Sequence, residues 1–271
     1  MHDQWANWLD PVRALAAEAS ERILEIYATA FGVTAKDDDS PLTAADLAAH
    51  HAILAGLRQL TPTIPILSEE SATIPFAERS RWQRYWLVDP LDGTKEFVQR
   101  NGQFTVNIAL IEGNEPVLGV VRVPVTGVCY FAARGRGAFR DNPGQPLQSI
   151  AVAPLRPGEP VRVVGSRSHG GPALQAFVAK LGAHELVTIG SSLKFCQVAE
   201  GSADVYPRLG PTSEWDTAAA QAIVEVAGGR VVSAETGEPL RYNTRESLLN
   251  PHFIVYGDGG RNWLSYVPRQ D

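Results

Sequence analysis

The sequence predicts an α/β protein, an α+β sandwich in which layers of helix and sheet alternate, and three features of its 271 residues predict it. Two helical segments come first, a meander of short strands follows, and strands then alternate with helices towards the C-terminus. A meander favours an antiparallel sheet, whereas alternation favours a sheet with helices on both faces. We therefore expect an N-terminal half over residues 1–145 and a C-terminal half over residues 146–271, packed as one unit, with the Pro/Gly-rich stretch 142–146 as their seam.

The two N-terminal helices follow from apolar spacing and from a capping signal. Between residues 5 and 30, apolar side chains recur every three to four positions, which is the pattern of an amphipathic helix. A second helix is expected in LTAADLAAHHAILAGLRQL, with Thr43 as its N-cap and Asp46 at the capping-box position. The loop between them is rich in acid, and its segment 36–39 is a candidate mobile flap.

Strands are expected where short apolar or alternating runs are bounded by turn residues. Ile64 to Leu67 and the run that reaches Val88 come first, followed by the meander FTVNIALIE, PVLGVVRVPV, GVCYFAAR and GAFRD. In the C-terminal half the expected strands are VRVVGS, HELVTIG, ADVYPRL and HFIVYGD. The expected helices there are GGPALQAFVAKLG, SSLKFCQVAEG and EWDTAAAQAIVEVAGG.

Composition narrows the class of protein. Hydrophobic residues make up 44% of the chain, and the net charge of −6 argues against a general binder of nucleic acid polymers or of membrane surfaces. Cys129 and Cys196 lie in apolar runs without a zinc-binding spacing, so we expect buried thiols. Residues 1–10 do not resemble a secretory signal, and no apolar run is long enough to span a bilayer. We expect a cytoplasmic protein, with peripheral association with the inner membrane left open.

The stretch WLVDPLDGTKEF ends an apolar strand in two carboxylates, Asp89 and Asp92. Pro90 fixes the backbone between them and Gly93 permits a tight turn, an arrangement that suits a hard cation. The carbonyl of Leu91 could face the same point. Because such pairs also occur in ordinary polar turns, the pair alone leaves both interpretations open.

Three further acids stand at the ends of predicted elements. Glu69 follows the first short strand, Asp46 lies at the start of the second helix, and Asp216 lies in the first turn of a later helix. Helix capping and the helix dipole explain the last two as well as a metal does. The aspartate pair and these three acids stand at four places in the sequence, and together they favour a shared cation site, since carboxylate oxygens are the ligands that Mg²⁺ prefers.

The motifs SEE, DPLDGTKEF and EWDTAAAQAIVEVAGG resemble, in order and spacing, the metal motifs of the inositol monophosphatase family, which are magnesium-dependent, lithium-sensitive phosphomonoesterases. Within that family DGTKEF, SRSH and SSLKF resemble the CysQ-type branch of 3′(2′),5′-bisphosphate nucleotidases most closely. The resemblance covers nearly the whole chain. It implies the layered αβαβα fold of the sugar phosphatases, with the metal site at the junction of the two halves.

The resemblance also implies roles for individual residues. Two or three Mg²⁺ ions would neutralise the phosphate, activate a water and stabilise the departing oxygen. Asp46 and Thr94 would form a hydrogen-bonded pair that orients and deprotonates the attacking water, and Gly93 and Thr94 would offer backbone amides to the phosphate. The implied metal ligands are Glu69, which we also count as catalytic, Asp89, the carbonyl of Leu91, Asp92 and Asp216.

A second group of residues is expected to recognise the rest of the substrate. Cations and hydroxyls give the hydrogen-bonding wall that a second phosphate needs and an uncharged inositol ring does not. The alternative is that the two cations among them are ordinary surface side chains. The implied substrate contacts are His169, Ser191, Lys194, Arg208 and Glu214, of which Glu214 would face the sugar.

These expectations add up to a hydrolase that converts adenosine 3′,5′-bisphosphate to AMP and phosphate, a step of sulfate assimilation. Lithium inhibition and a monomer or homodimer are further expectations. The alternatives within the family are phosphatases of inositol-1-phosphate, histidinol-phosphate or fructose-bisphosphate. An alternative of another class is a nucleotide- or metal-binding regulatory protein without catalysis, against which the Asp46–Thr94 pair speaks.

Overall fold

The computed structural model describes residues 5–29, 41–166 and 171–268, and none of the helices in these ranges combines the length and the apolarity needed to cross a membrane. The helices are α1 (Ala6–Tyr27), α2 (Pro41–Leu60), α3 (Phe76–Arg79), α4 (Thr94–Val98), α5 (Pro172–Leu181), α6 (Leu193–Ala199) and α7 (Glu214–Val226). The strands are β1 (Ile66–Ser68), β2 (Arg84–Asp92), β3 (Thr105–Glu112), β4 (Glu115–Arg122), β5 (Cys129–Ala133), β6 (Gly137–Asp141), β7 (Gln148–Ile150), β8 (Val161–Ser166), β9 (His184–Ile189), β10 (Val205–Arg208), β11 (Arg230–Ser233) and β12 (Phe253–Tyr256). Short 3₁₀ turns lie at Glu69–Ser71 and Trp263–Tyr266.

The strands form two sheets. The first contains seven strands in sequence order, β1 to β7, and every neighbouring pair is antiparallel except β1 with β2. The second contains five strands in the order β11-β12-β10-β8-β9, with parallel pairs around β8 and antiparallel pairs around β12. The meander and the mixed sheet predicted from the sequence are both confirmed.

Five layers pack around three apolar cores, of which the middle one lies on both sides of the central helices. Val12 of α1 packs with Ile108 on one face of the first sheet, and α2 belongs to the same core. Ile223 of α7 lies in the middle core with Phe253, between the two sheets, together with α6. Phe177 of α5 belongs to the outer core of the second sheet. The predicted αβαβα order is therefore confirmed, and α7 runs through the centre of the molecule.

The start of α2 and the end of the first sheet differ from the prediction. Helix α2 begins at Pro41, so Thr43 and Asp46 lie inside the helix and the prediction of Thr43 as the N-cap is wrong. A proline is favoured at the first helical position, because its fixed φ suits a helix and its missing N–H would have no partner there. Strand β7 pairs with β6, so the first sheet extends past residue 145 to Ile150. The division into two halves stays a prediction.

Gly119 shows how closely α7 is seated on the first sheet. A Cβ atom at this position of β4 would lie 2.0 Å from the carbonyl oxygen of Ala219 and 3.0 Å from the Cβ of Ala222. Replacement of Gly119 by alanine therefore requires α7 to move away from the sheet. We expect Gly119→Ala to lower the free energy of unfolding by about 2 kcal/mol, the usual effect of overpacking, as measured by urea denaturation.

Gly259 provides the matched control for this change. Its added Cβ would meet no atom within 4 Å, so Gly259→Ala is expected to change the free energy of unfolding by less than about 0.5 kcal/mol. Equal stability of the two variants would contradict the close helix-on-sheet contact.

Candidate metal centre and active site

Asp89 and Asp92 reach the same side of the first sheet because β2 is irregular between them. Residues three apart on a regular strand point to opposite faces. Here Asp89 pairs with Asn107 and Asp92 pairs with Thr105, so three steps on β2 match two steps on β3. The extra residue is a bulge, and bulges redirect side chains in this way. Both carboxylates can then face one point.

Asp216 joins them from the first turn of α7. The backbone N–H of Ser213, the residue before the helix, donates a hydrogen bond of 2.8 Å to Asp216 Oδ2, which is one arm of a capping box. One carboxylate oxygen from each of Asp89, Asp92 and Asp216 lies within 4.8 Å of the other two. Three carboxylates from two distant parts of the sequence therefore converge in a group that could hold a metal ion.

Asp92 is fixed by two serines that the sequence argument did not connect with it. Its Oδ2 accepts hydrogen bonds from the backbone N–H of Ser192 at 2.7 Å and from the hydroxyls of Ser191 and Ser192 at 2.5 and 2.9 Å. Thr105 and Asn107 approach the same oxygen at 3.5 Å. Because all these donors use Oδ2, Oδ1 takes none of these bonds. The only sequence signal for these hydrogen bonds was a pair of serines at the start of a predicted helix.

The charges of the acidic cluster favour a bound cation. Burial raises the pKa of Asp89 well above its usual range, and the negative charge of Glu69 raises it further. Burial also raises the pKa of Asp216 to about 7, and the charge of Asp92 adds to that effect. Oxygen ligands without a thiol or imidazole suit a hard cation better than zinc. The residues present thus fit the metal implied by the sequence motifs.

A cavity of about 340 Å³ joins the acids to three cations, Lys95, Lys194 and Arg208. Glu69, which is exposed, lies on its wall beside the cluster. Tyr206 and Phe253 supply apolar surface. The sequence-predicted residues that line it are Glu69, Asp89, Leu91, Asp92, Gly93, Thr94, Ser191, Lys194, Arg208 and Asp216.

Lys194 is a buried cation, which is unusual for its residue type. Its Nζ donates a hydrogen bond to the carbonyl of Ser191 and lies 5.6 Å from the centroid of the Tyr206 ring. Burial lowers the pKa of Lys194 to about 8, while the charge of Asp92 raises it and that of Arg208 lowers it. Arg208, at the end of β10, donates to the carbonyl of Pro211 at 2.8 Å. Two neighbouring cations in one cavity favour an anionic ligand.

Asp46 and Glu214 are not among the described residues that line the cavity, and two other sequence predictions fall outside the described residues. Asp46 is buried and close enough to Asp89 for its charge to raise the pKa of that carboxyl. The carboxylate of Glu214 is buried and accepts the backbone N–H of Asn243 at 3.0 and 2.9 Å, and the predicted sugar contact stays a prediction. His169 and the segment 36–39 lie outside the described residues.

The order of these motifs and the fold that carries them agree with one family of phosphatases. Residues 4–257 match the model of the inositol monophosphatase family. The chain belongs to this family. It is 53% identical to the 3′(2′),5′-bisphosphate nucleotidase CysQ of Salmonella typhimurium over 249 residues, which cover 91% of this chain and 98% of that protein. It is 51% identical, with the same coverage, to the nucleotidase of that name from Escherichia coli strain K12.

Solved structures give the same result for the fold. The crystal structure of CysQ from Bacteroides thetaiotaomicron, a bacterial member of the family, has a TM-score of 0.82 and 44% identity, and covers 92% of this chain and 97% of that one. An inositol monophosphatase from Zymomonas mobilis has a TM-score of 0.80 at 22% identity, with 97% of this chain and 98% of that one covered. The second similarity concerns the fold alone.

Proposed function

We propose that this member of the inositol monophosphatase family is a Mg²⁺-dependent 3′(2′),5′-bisphosphate nucleotidase that hydrolyses adenosine 3′,5′-bisphosphate to AMP and phosphate. The observation that carries the proposal is the shared cavity, in which three converging aspartates lie near Lys194 and Arg208. An acidic cluster for metal beside cations for an anion suits a substrate with two phosphates. The nucleotidase name of relatives that are more than 50% identical supports the same assignment.

The acids would hold two or three Mg²⁺ ions, and each contributes in a different way. Asp89, Asp92 and Asp216 converge on one point. Glu69 adds a carboxylate from the cavity wall, and Leu91, between Asp89 and Asp92 in sequence, would add its backbone carbonyl. The bound ions supply neutralisation of the phosphate and activation of the attacking water. The serines that hold Asp92 keep its carboxylate in place, which limits rearrangement during the reaction.

Lys194 and Arg208 would recognise the phosphate that is not cleaved. A buried ammonium group binds an anion more strongly than an exposed one, because little water screens the pair. Ser191 has a different role in this proposal, since its hydroxyl is hydrogen-bonded to Asp92 and its carbonyl to Lys194. It therefore links the acidic part of the site to the basic part.

Asp46 and Thr94 would orient the attacking water. Asp46 lies on α2 and Thr94 begins α4, and these two helices are in contact. Their hydrogen bond would form with the ions and substrate bound, because catalytic contacts often tighten only in the complex. The cytoplasmic location, the monomeric or dimeric state and inhibition by lithium stay predictions.

The test is phosphate release from the purified protein with and without Mg²⁺. Adenosine 3′,5′-bisphosphate, inositol-1-phosphate and histidinol-phosphate are compared at equal concentration. We expect Mg²⁺-dependent release, with kcat/KM for the bisphosphate at least about tenfold above the other two, since one additional charge-assisted contact is worth about 1.5 kcal/mol or more.

Each other outcome has a definite meaning. Preference for inositol-1-phosphate or histidinol-phosphate would reject the second-phosphate role of Lys194 and Arg208 and retain the metal chemistry. Release from none of the three would reject the enzyme and favour a regulatory binding protein.

A further inference from the structure

A buried chain of hydrogen bonds links α3 to the first turn of α7, the turn that carries Asp216. It runs from Arg79, the last residue of α3, through Asn243 to Glu214, the first residue of α7. The three residues are 2%, 4% and 3% exposed. Arg79 lies ten residues after Glu69 in the sequence, whereas Glu214 lies in α7, so these hydrogen bonds connect two distant parts of the sequence.

The link between Arg79 and Asn243 is reciprocal. The Arg79 guanidinium donates to Asn243 Oδ1 at 2.5 Å, and the Asn243 side-chain amide donates to the Arg79 carbonyl at 2.6 Å. A second nitrogen of the guanidinium donates to the carbonyls of Arg245 and Glu246 in the same loop. Arg79 therefore fixes the loop that begins at Asn243, and a fork of this kind leaves little freedom of rotation.

The link between Asn243 and Glu214 reaches the metal centre. The backbone N–H of Asn243 donates to both carboxylate oxygens of Glu214, and Asn243 adopts a left-handed φ of 55° to do so. Asp216 is two residues further along the same helical turn. The loop contacts this helix start again where Asn250 donates to the carbonyl of Ser213 at 2.7 Å. The orientation of the first turn of α7 therefore depends on the loop that Arg79 holds.

We propose that Arg79 and Asn243 are positioning residues for the metal centre, which act through Glu214 to hold Asp216 in register with the acids of the first sheet. The inference rests on the proposed function in one respect only, namely that Asp216 is a Mg²⁺ ligand. Partners that orient a ligand from behind usually change metal affinity by 10- to 100-fold when they are removed. Neither Arg79 nor Asn243 lines the cavity among the described residues, so neither is expected to contact substrate.

Two variants test the link, and their main readout needs no substrate. Arg79→Lys keeps the charge but loses the fork. Asn243→Gly keeps the backbone N–H that binds Glu214 and tolerates the left-handed φ, while it removes the side chain that contacts Arg79. Calorimetric titration of the metal-free proteins with Mg²⁺ is expected to show about tenfold weaker binding for both variants. Their kcat at saturating Mg²⁺ should stay within about threefold of wild type, because the same groups surround the reaction once the ions are bound.

Arg162→Lys is the matched control. Arg162 also forms a fork, which is half-buried, to both oxygens of Asp204 and to the carbonyl of Gly201, but it lies outside the cavity. This variant is expected to lose stability in urea denaturation while its Mg²⁺ affinity stays within about twofold of wild type. A double variant, Arg79→Lys with Asn243→Gly, should bind Mg²⁺ no more weakly than the weaker single variant, since both act through one link.

The outcomes separate this inference from the proposed function. Unchanged Mg²⁺ affinity in Asn243→Gly, or equal weakening in Arg162→Lys, would overturn the positioning role while wild-type binding and activity stand. Wild-type protein that binds no Mg²⁺ would contradict the proposed function itself. If Arg79→Lys does not fold, Asn243→Gly alone decides the question.

Discussion

Replacement of Asp89 by asparagine is expected to abolish phosphate release and leave the protein folded. Asp89 is buried, belongs to the converging carboxylates and faces the charges of Glu69 and Asp92. The amide keeps the shape of the side chain but loses the negative charge that a hard cation requires. We expect kcat/KM for adenosine 3′,5′-bisphosphate to fall at least about 1000-fold, which corresponds to about 4 kcal/mol of transition-state stabilisation.

The metal-free form of the same variant should be at least as stable as metal-free wild type, although its activity is lost. Without metal, the wild-type protein buries Asp89 and holds it near other carboxylates, and burial first and the charge of Glu69 second raise the pKa of Asp89. Both effects disfavour the charged carboxylate, and the second is repulsion between like charges. The neutral amide removes part of that repulsion. The metal-free Asp89→Asn variant should therefore unfold at a temperature equal to or above that of metal-free wild type, and added Mg²⁺ should stabilise it less than wild type.

Asp204→Asn is the control for an ordinary buried aspartate. Asp204 is paired with Arg162 and does not belong to the lining of the metal cavity. Loss of this pair should reduce the free energy of unfolding. It should leave kcat within about threefold of wild type, because the surroundings of the reacting groups do not change. Full activity of Asp89→Asn, or equal loss of activity in both variants, would exclude Asp89 as a metal ligand.

Replacement of Lys194 by methionine is expected to remove the preference for a second phosphate. Methionine fills a similar volume without the charge, so the buried site should stay packed. We expect kcat/KM for adenosine 3′,5′-bisphosphate to fall about 100-fold, or about 2.7 kcal/mol, the range of a buried charge-assisted hydrogen bond. For adenosine 3′-monophosphate, which has the scissile phosphate but no second one, the change should stay within about threefold.

The pH profile gives an independent measurement of the same role. Burial lowers the pKa of Lys194 to about 8, so the cation is present below that pH and is lost above it. In wild type, kcat/KM for the bisphosphate should fall as the pH rises through about 8, because this parameter reports groups of the free enzyme. In Lys194→Met that decrease should be absent.

Lys180→Met controls for the loss of a lysine in general. Lys180 is exposed on α5, where it contacts the carbonyl of Val267. Both the substrate preference and the pH profile of this variant should match wild type. If Lys194→Met lowers kcat/KM for both nucleotides equally, Lys194 supports the reaction at the scissile phosphate and does not select the second one.

The sequence was sufficient for the fold class and for the chemical type of the site. Periodicity is local, so α1, the meander and the alternating second half could be predicted from it. The start of α2 could not be predicted in this way. Pro41 and Thr43 are both acceptable residues at a helix start, and the capping-box spacing favoured Thr43. The acids at the ends of β2 and α7 were recognisable because their types and spacing suit a hard cation, whatever their final geometry.

Tertiary structure decided how those acids are arranged and which polar residues hold them. Asp92 faces the same side as Asp89 only because the bulge in β2 absorbs one residue against β3. Ser192 reaches Asp92 across 100 residues of sequence, and Arg79 reaches Asn243 across 164. Glu214 points inward because the loop at Asn243 offers it a buried N–H. The sequence predicted which groups bind a cation and a phosphate. The arrangement of these groups depends on contacts between distant segments, which are set by the packing of the two sheets around α7 and are not encoded in any local pattern.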